Sequence, residues 1–216
     1  MKELELLLPG AIKRSLDKSD FPRVLEFERM ATYELNDTPP DHAPPMFTME
    51  ELEEIAKNGV MGGIFGTDDK LLAYYLFGIR PDELYIEEIV VDSDIRDRGV
   101  GRYLLELADE EVQKRGLPRA TLSVDPLNGR GVNAYLKHGY EITDYKTAYF
   151  GPEYPNTDRF WMVKQFRGEK RSFEEDSKEV NCGDAKGLQA TLRDGYIGVG
   201  LIRGANNRLN RIIFRK

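Results

Sequence analysis

Residues 84–115 constrain the fold more than any other stretch of this chain. Tyr85-Ile86-Glu87-Glu88-Ile89-Val90-Val91 carries apolar residues on both faces of an extended backbone, as a strand covered on both sides must. It runs into Asp92-Ser93-Asp94-Ile95-Arg96-Asp97-Arg98-Gly99-Val100-Gly101-Arg102, and beyond Gly101 the residues Leu104, Leu105, Ala108 and Val112 recur at helical spacing to about Arg115. Gly116 ends that helix with Pro118 behind it, and Glu110–Lys114 and Glu111–Arg115 pair on its outer side. A strand needing cover on two faces, leading into a helix able to supply one of them, demands an α/β sheet.

The rest of the chain fills in that sheet. Residues 10–16 read as a first strand, and Val24, Phe27 and Ala31 mark a helix after Ser19-Asp20. Four prolines make 36–46 a loop, and Thr48 with Glu51 forms a capping box for a second helix ending near Asn58-Gly59. Residues 60–66, 70–79 and 84–92 are expected to pair as antiparallel hairpins. A strand through Ala120, Leu122 and Val124, a helix over Asn128–His138, a strand after Gly139-Tyr140 and a last strand over 158–166 follow. The fold class is therefore α/β (α+β), a mixed and mostly antiparallel twisted sheet flanked by helices.

Glycines at 99 and 101 let the backbone approach a ligand and present N–H groups, and the helix start beyond them carries unpaired donors and the positive end of the dipole. Arg96, Arg98 and Arg102 add charge around the same place, which suits a pyrophosphate. The pattern lacks the Gly-x-x-x-x-Gly-Lys-Ser/Thr of a P-loop, and Leu104 stands where a dinucleotide fingerprint needs its third glycine. A glycine-eased turn with solvated arginines explains the same residues when they are taken alone.

Arg-x-x-Gly-x-Gly after a Val-rich strand, Asn128 and Tyr135 seven residues apart ahead of Gly139-Tyr140, and Tyr85-Ile86-Glu87-Glu88 upstream stand in one register. Together they resemble the GNAT superfamily of acetyl-CoA-dependent N-acetyltransferases, the last of them its polyamine-acetylating branch. The resemblance spans roughly residues 10–166. It implies a GNAT domain over 1–166, with acetyl-CoA as cosubstrate and no metal. The strand end Ile89-Val90-Val91 would hold pantetheine through the Ile89 and Val91 backbones, and Arg96, Asp97, Arg98, Gly99, Val100, Gly101 and Arg102 would hold the pyrophosphate. Asn128 would contact the cofactor arm.

Acetyl transfer to a primary amine has its own demands. An amine of pKa about 10.4 is neutral in about 1 part in 2,500 at pH 7, a deficit of about 4.6 kcal/mol that a carboxylate base relieves in part. Backbone N–H donors stabilise the oxyanion, and a phenol returns a proton to the departing thiolate. The resemblance gives the base role to Glu87 and the acid role to Tyr135. Glu87 and Glu88 point to opposite faces of a regular strand, so at most one is expected to reach the acceptor. A structural ion pair suits either of them equally. Loops 33–47 and 146–157, the latter with Tyr149, Phe150 and Tyr154, would wall an acceptor that is a small-molecule or peptide amine.

A net charge of −7 argues against nonspecific nucleic-acid binding. No apolar run is long enough to span a membrane, and Cys182, the single cysteine, cannot form an internal disulfide, so the cytoplasm is the expected compartment. Residues 167–182 read as a charged linker. After them, Thr191-Leu192-Arg193-Asp194-Gly195-Tyr196 echoes Tyr135-Leu136-Lys137-His138-Gly139-Tyr140, which predicts a small C-terminal helix–strand–strand appendage within 167–216. With Thr191 in place of Tyr135 and no Arg-x-x-Gly-x-Gly before it, the echo should bind no second cofactor. Its strands, cations outward, are expected to extend this core or a neighbouring one at a homodimer contact. The alternative to an enzyme is an acyl-CoA-binding sensor or subunit of the same fold that lacks turnover.

Overall fold

A computed structural model describes residues 4–35 (31–35 as backbone), 47–168, 172–173, 175–205 and 210–216, and divides into two units, Met1–Ala120 and Thr121–Lys216. The expected proline loop over 36–46 and Arg208 of the tail lie outside the described residues.

In the first unit, β1 (Ile12–Ser15), β2 (Gly59–Phe65), β3 (Leu71–Arg80) and β4 (Glu83–Val91) pair antiparallel in that order. A short helix α1 (Leu4–Leu7), which the sequence pattern did not announce, precedes them. Two helices, α2 (Phe21–Leu35) and α3 (Met49–Asn58), cover one face of the sheet, where Phe21, Val24, Leu52, Tyr74, Leu76 and Val90 form one buried cluster. Each such side chain contributes about 1.5–3 kcal/mol by leaving water. The capping box forms as expected, with the Glu51 N–H donating to Thr48 Oγ1 at 3.2 Å and the Thr48 N–H to Glu51 Oε2 at 2.8 Å. Helix α4 (Val100–Arg115) packs on β3 and β4 and buries Leu104, Leu105, Ala108 and Val112 as expected, with Val100, Tyr103 and Leu107 besides. On its outer side both Lys114 and Arg115 turn to Glu111.

One irregularity in this sheet matters for chemistry. Leu76 pairs with Glu88 and Phe77 with Ile86, so Glu87 is an extra residue in a β-bulge. A bulge breaks the alternation of side chains between faces.

The second unit holds two copies of one motif. The first is β5 (Arg119–Val124, beginning just before the division), α5 (Gly129–Lys137), β6 (Glu141–Lys146) and β7 (Arg159–Gln165). The second is β8 (Ser177–Asn181), α6 (Ala185–Arg193), β9 (Ile197–Ile202) and β10 (Arg211–Arg215). The strands lie in the order β5-β7-β6-β9-β10-β8, which reads the same motif outward from its centre. At that centre Ile142 faces Gly198 across an antiparallel pair, and each is the second residue of its strand. The copies therefore relate by a pseudo-two-fold axis between β6 and β9, and α5 packs on β9 while α6 packs on β6.

Matching side chains do matching work. Asn128 and Asp184 each accept an N–H bond from a glycine three residues on, at 2.9 and 3.0 Å. Gly139 and Gly195 take the left-handed φ of 92° and 87° that lets each helix turn into its strand. Lys164 lies over the Tyr140 ring and Lys216 over the Tyr196 ring. The echo seen in one short segment thus extends over four elements. It corrects the reading of 167–182 as linker throughout, because Ser177–Asn181 is a strand. Its Ser-Lys-Glu-Val-Asn sequence shows no apolar alternation; pairing with β10, whose Ile212 and Phe214 are fully buried, makes it one. Arg211 and Arg215 point outward from β10, as expected of the tail's cations.

Candidate active site

The turn from β4 into α4 begins with Asp92, whose side chain accepts the Asp94 N–H at 2.9 Å and pairs with Lys70 at 2.8 Å. Burial alone would raise its pKa, but the Lys70 ammonium and the Asp94 amide outweigh it and hold Asp92 below the usual carboxylate range. Arg96 is half-buried and donates from Nε to the Val91 carbonyl at 3.0 Å, tying the turn to the strand end. Asp97 and Gly99 both adopt left-handed backbone, at φ of 60° and 94°. That geometry lets the chain reverse into the helix at Gly99, its N-cap.

Among the described residues, no side chain caps α4. A Cβ placed on Gly101 would meet no described atom within 4 Å, whereas one on Gly99 would touch Leu7 Cδ2 at 3.4 Å, so the helix start is open on its Gly101 side. Arg98 and Arg102 are exposed on either side; Arg98 donates to the Asp94 carbonyl at 3.1 Å, and Arg102 pairs with Glu106 at 2.9 Å. An uncapped N-terminus with its dipole, an open approach and three guanidinium groups fits a diphosphate. Arg96 to Arg102 are thus brought together at one turn that continues from Ile89, Val90 and Val91.

The carboxylates of β4 do not sit as strand alternation predicts. Glu88 accepts a short hydrogen bond from the Tyr74 hydroxyl, and Tyr74 belongs to the cluster under α2 and α3. Glu87 Oε1 comes within 2.6 Å of a Cβ placed on Gly78, two residues beyond Leu76 on that same face. The bulge therefore turns both carboxylates to the α2–α3 face, which corrects the expectation of opposite faces. Burial raises the Glu87 pKa, with Arg80 at 3.9 Å opposing and Glu51 adding to the rise.

Near Glu88 and Tyr74 stands Glu28 of α2, which is 4% exposed. Its Oε1 accepts the Phe47 N–H at 3.2 Å. Burial pushes Glu28 up to about 7, and burial together with Glu28 pushes Glu88 up to about 8. Two buried acids so close do not both ionise near neutrality. The sequence reading missed Glu28 and Tyr74. A signal for Glu28 was present, an acid one helical turn after Val24 on the buried stripe, where an unpaired charge is out of place.

Tyr135 and Asn128 belong to the second unit. Tyr135 is half-buried on α5 with its ring 5.8 Å from that of Tyr140, edge to face. Asn128 is the N-cap of α5. Its counterpart Asp184 caps α6 in the same way, so this residue type serves the helix in both copies. In loop 147–158, Tyr149 and Phe150 stack edge to face, and Arg159 lies over Phe150.

The model of the acetyltransferase (GNAT) family matches residues 25–140, more than half of the chain. This chain belongs to the GNAT family. A ribosomal protein bS18-alanine N-acetyltransferase of Salmonella typhimurium is 30% identical over 96 residues, which are 44% of this chain and 65% of that enzyme. Among solved GNAT structures, the ribosomal-protein-S18-alanine N-acetyltransferase of Escherichia coli superposes with a TM-score of 0.56 at 21% identity, covering 76% of this chain and 99% of that one. The paia N-acetyltransferase of Thermoplasma acidophilum, solved in complex with coenzyme A, gives 0.57 at 19%, covering 72% and 99%. These likenesses bear out the mixed, mostly antiparallel α/β fold. Among the described residues, no helix of this GNAT protein is long and apolar enough to cross a membrane.

Proposed function

We propose that the chain transfers the acetyl group of acetyl-CoA to a primary amine, by direct attack in a ternary complex. The observation that carries this reading is the pairing of an uncapped, arginine-flanked helix start with half-buried carboxylates on the strand that leads into it. The diphosphate lies against the N–H groups from Gly99 onward, with Arg96, Arg98 and Arg102 around it. The Ile89 and Val91 backbones hold the pantetheine arm, and Asn128 is a further contact to the cofactor. Acetyl-CoA supplies the activated acyl group; the protein supplies orientation and proton traffic.

Glu87 takes the proton that the acceptor ammonium must lose. Its raised pKa narrows the gap to that of the amine, and Arg80 keeps it from being trapped as the acid. The amine nitrogen then bonds to the thioester carbon, and the carbon–sulfur bond breaks. Tyr135 protonates the leaving sulfur, and the second proton lost by the amide nitrogen restores the phenol. The names of the relatives favour the α-amino group of a peptide beginning with alanine as the acceptor. The cytoplasm fits such an enzyme, because Cys182, buried with its thiol pushed up to about 12, is inert as a nucleophile and needs no oxidising compartment.

The test is thiol release from acetyl-CoA in the presence of an alanyl peptide, with calorimetric titration of coenzyme A. One coenzyme A per chain is expected, because no Arg-x-x-Gly-x-Gly precedes the second copy. Tyr135→Phe should lower turnover by about tenfold or more while coenzyme A affinity holds. Binding without release from any amine would leave the chain an acyl-CoA sensor.

A further inference from the structure

The duplication in the second unit builds a cavity that neither copy could form alone, because α6 of the second copy packs on β6 of the first. Strand β6 meets β9 at Ile142 and Gly198, and beyond that pair its residues lie against the last turn of α6. There Thr143, Asp144 and Tyr145 of β6 and Gln189, Leu192 and Arg193 of α6 line a cavity of about 230 Å³. All six follow residue 140, where the match to the family model ends. At about 30 Å³ for each water-sized group, the cavity holds about seven or eight of them, the size of a free amino acid and too small for a nucleotide.

The charges of this wall are arranged but not consumed. Thr143 is the extra residue of a bulge against β7, so the alternation of side chains breaks at the cavity. Asp144 Oδ1 accepts the Tyr145 N–H at 2.8 Å, and its second oxygen takes no bond among the described residues. From the helix come Gln189 and Arg193, and among the described residues neither has a hydrogen-bond or ion-pair partner. The pseudo-two-fold supplies a comparison. Where α5 packs on β9, Lys137 stands for Arg193, but Gly200 stands for Asp144. A Cβ placed on Gly200 would come within 3.1 Å of Ile213 Cδ1, so a hydrophobic neighbour fills that place. Both copies thus carry the cation, and only one carries an acid to accompany it. An acid and a guanidinium that share a cavity without pairing to each other suit a ligand bearing both charges, an ammonium for the one and a carboxylate for the fork of the other.

We propose that this cavity binds a free α-amino acid as its zwitterion, the ammonium on Asp144, the carboxylate on Arg193 and Gln189, and the side chain along Leu192. The site binds and does no chemistry, since its hydroxyls are engaged, Thr143 on the Trp161 carbonyl at 3.4 Å and Tyr145 on Asp158. It stands independently of the transferase reading.

Calorimetry on the full chain with L-leucine and L-glutamine, each beside its N-acetyl and its amide form, tests this. At least one free amino acid should bind, at least about tenfold more tightly than either of its blocked forms. Arg193→Gln and Asp144→Asn should each weaken that binding by about tenfold or more, while Lys137→Gln changes it by less than about twofold. Asn keeps an oxygen for the Tyr145 N–H, and both positions are exposed, so both variants should hold the wild-type urea midpoint. Should either midpoint fall, amide shifts of the wild type decide instead, and those of 143–145 and 189–193 must move on titration. No heat from either amino acid up to about 10 mM, blocked forms that bind equally well, or binding that survives both substitutions overturns the proposal. Thiol release from acetyl-CoA with an alanyl peptide should be unchanged in Arg193→Gln, so this site and the transferase reading fail separately.

Discussion

Replacing Glu28 by Gln should change how stability depends on pH, in a direction and amount set by its burial. The folded-state pKa of Glu28 is pushed up to about 7 from an ordinary value of 4.5, chiefly because the carboxyl is buried, with Glu51 opposing its charge as well. Between those two values the folded chain binds more protons than the unfolded one, so stability is greatest at low pH and falls as pH rises through the window. From pH 5 to pH 8 the loss from this group is on the order of 2–3 kcal/mol. Glu88, raised by burial and by Glu28, acts with the same sign on the proton the pair shares. Gln keeps an oxygen for the Phe47 N–H at 3.2 Å and removes the charge. The variant should therefore lose on the order of 2–3 kcal/mol less than wild type over that range, worth roughly 5–10 °C in Tm for a chain of this size. Urea unfolding of both proteins at the two pH values measures it. Parallel losses would show that the Glu28 carboxyl is hydrated or paired, and would refute its raised pKa.

Two glycines of the turn should separate folding from binding. Gly99→Ala forces a side chain into φ of 94° and should cost about 1–2 kcal/mol in thermal or urea unfolding. Gly101→Ala meets no protein atom within 4 Å, so Tm should hold while coenzyme A affinity measured by calorimetry falls about tenfold or more. In the second copy, Phe214→Ala removes a fully buried ring and should destabilise the chain by about 3–5 kcal/mol, read as an earlier urea midpoint. An unchanged midpoint would mean the copy contributes nothing to the fold.

Much of the first unit was legible because its signals are local. The capping box at Thr48, the helix stop at Gly116 and the apolar stripe of α4 depend on neighbours within a turn or two. The shape of the β4–α4 turn was legible for the same reason, since Gly99 acts through backbone freedom that its own residue type confers. Short-range patterns also gave the hairpins of β2, β3 and β4.

Other features arise only when distant segments meet. Glu87 and Glu88 share a face because β3 runs one residue short opposite them, a register no alternation within β4 records. Glu28 looked like an ordinary helical acid until Tyr74 and Glu88 were set against it, and its raised pKa belongs to that enclosure. Strand β8 has no apolar alternation of its own; it exists because β10 offers it a ladder. Sequence alone determined the longer helices, the turn and the family signature, because capping, glycine freedom and amphipathic period are properties of adjacent residues. Tertiary structure decided the facing of the carboxylates and the pseudo-two-fold of the second unit, because burial and register are properties of pairs far apart in the chain.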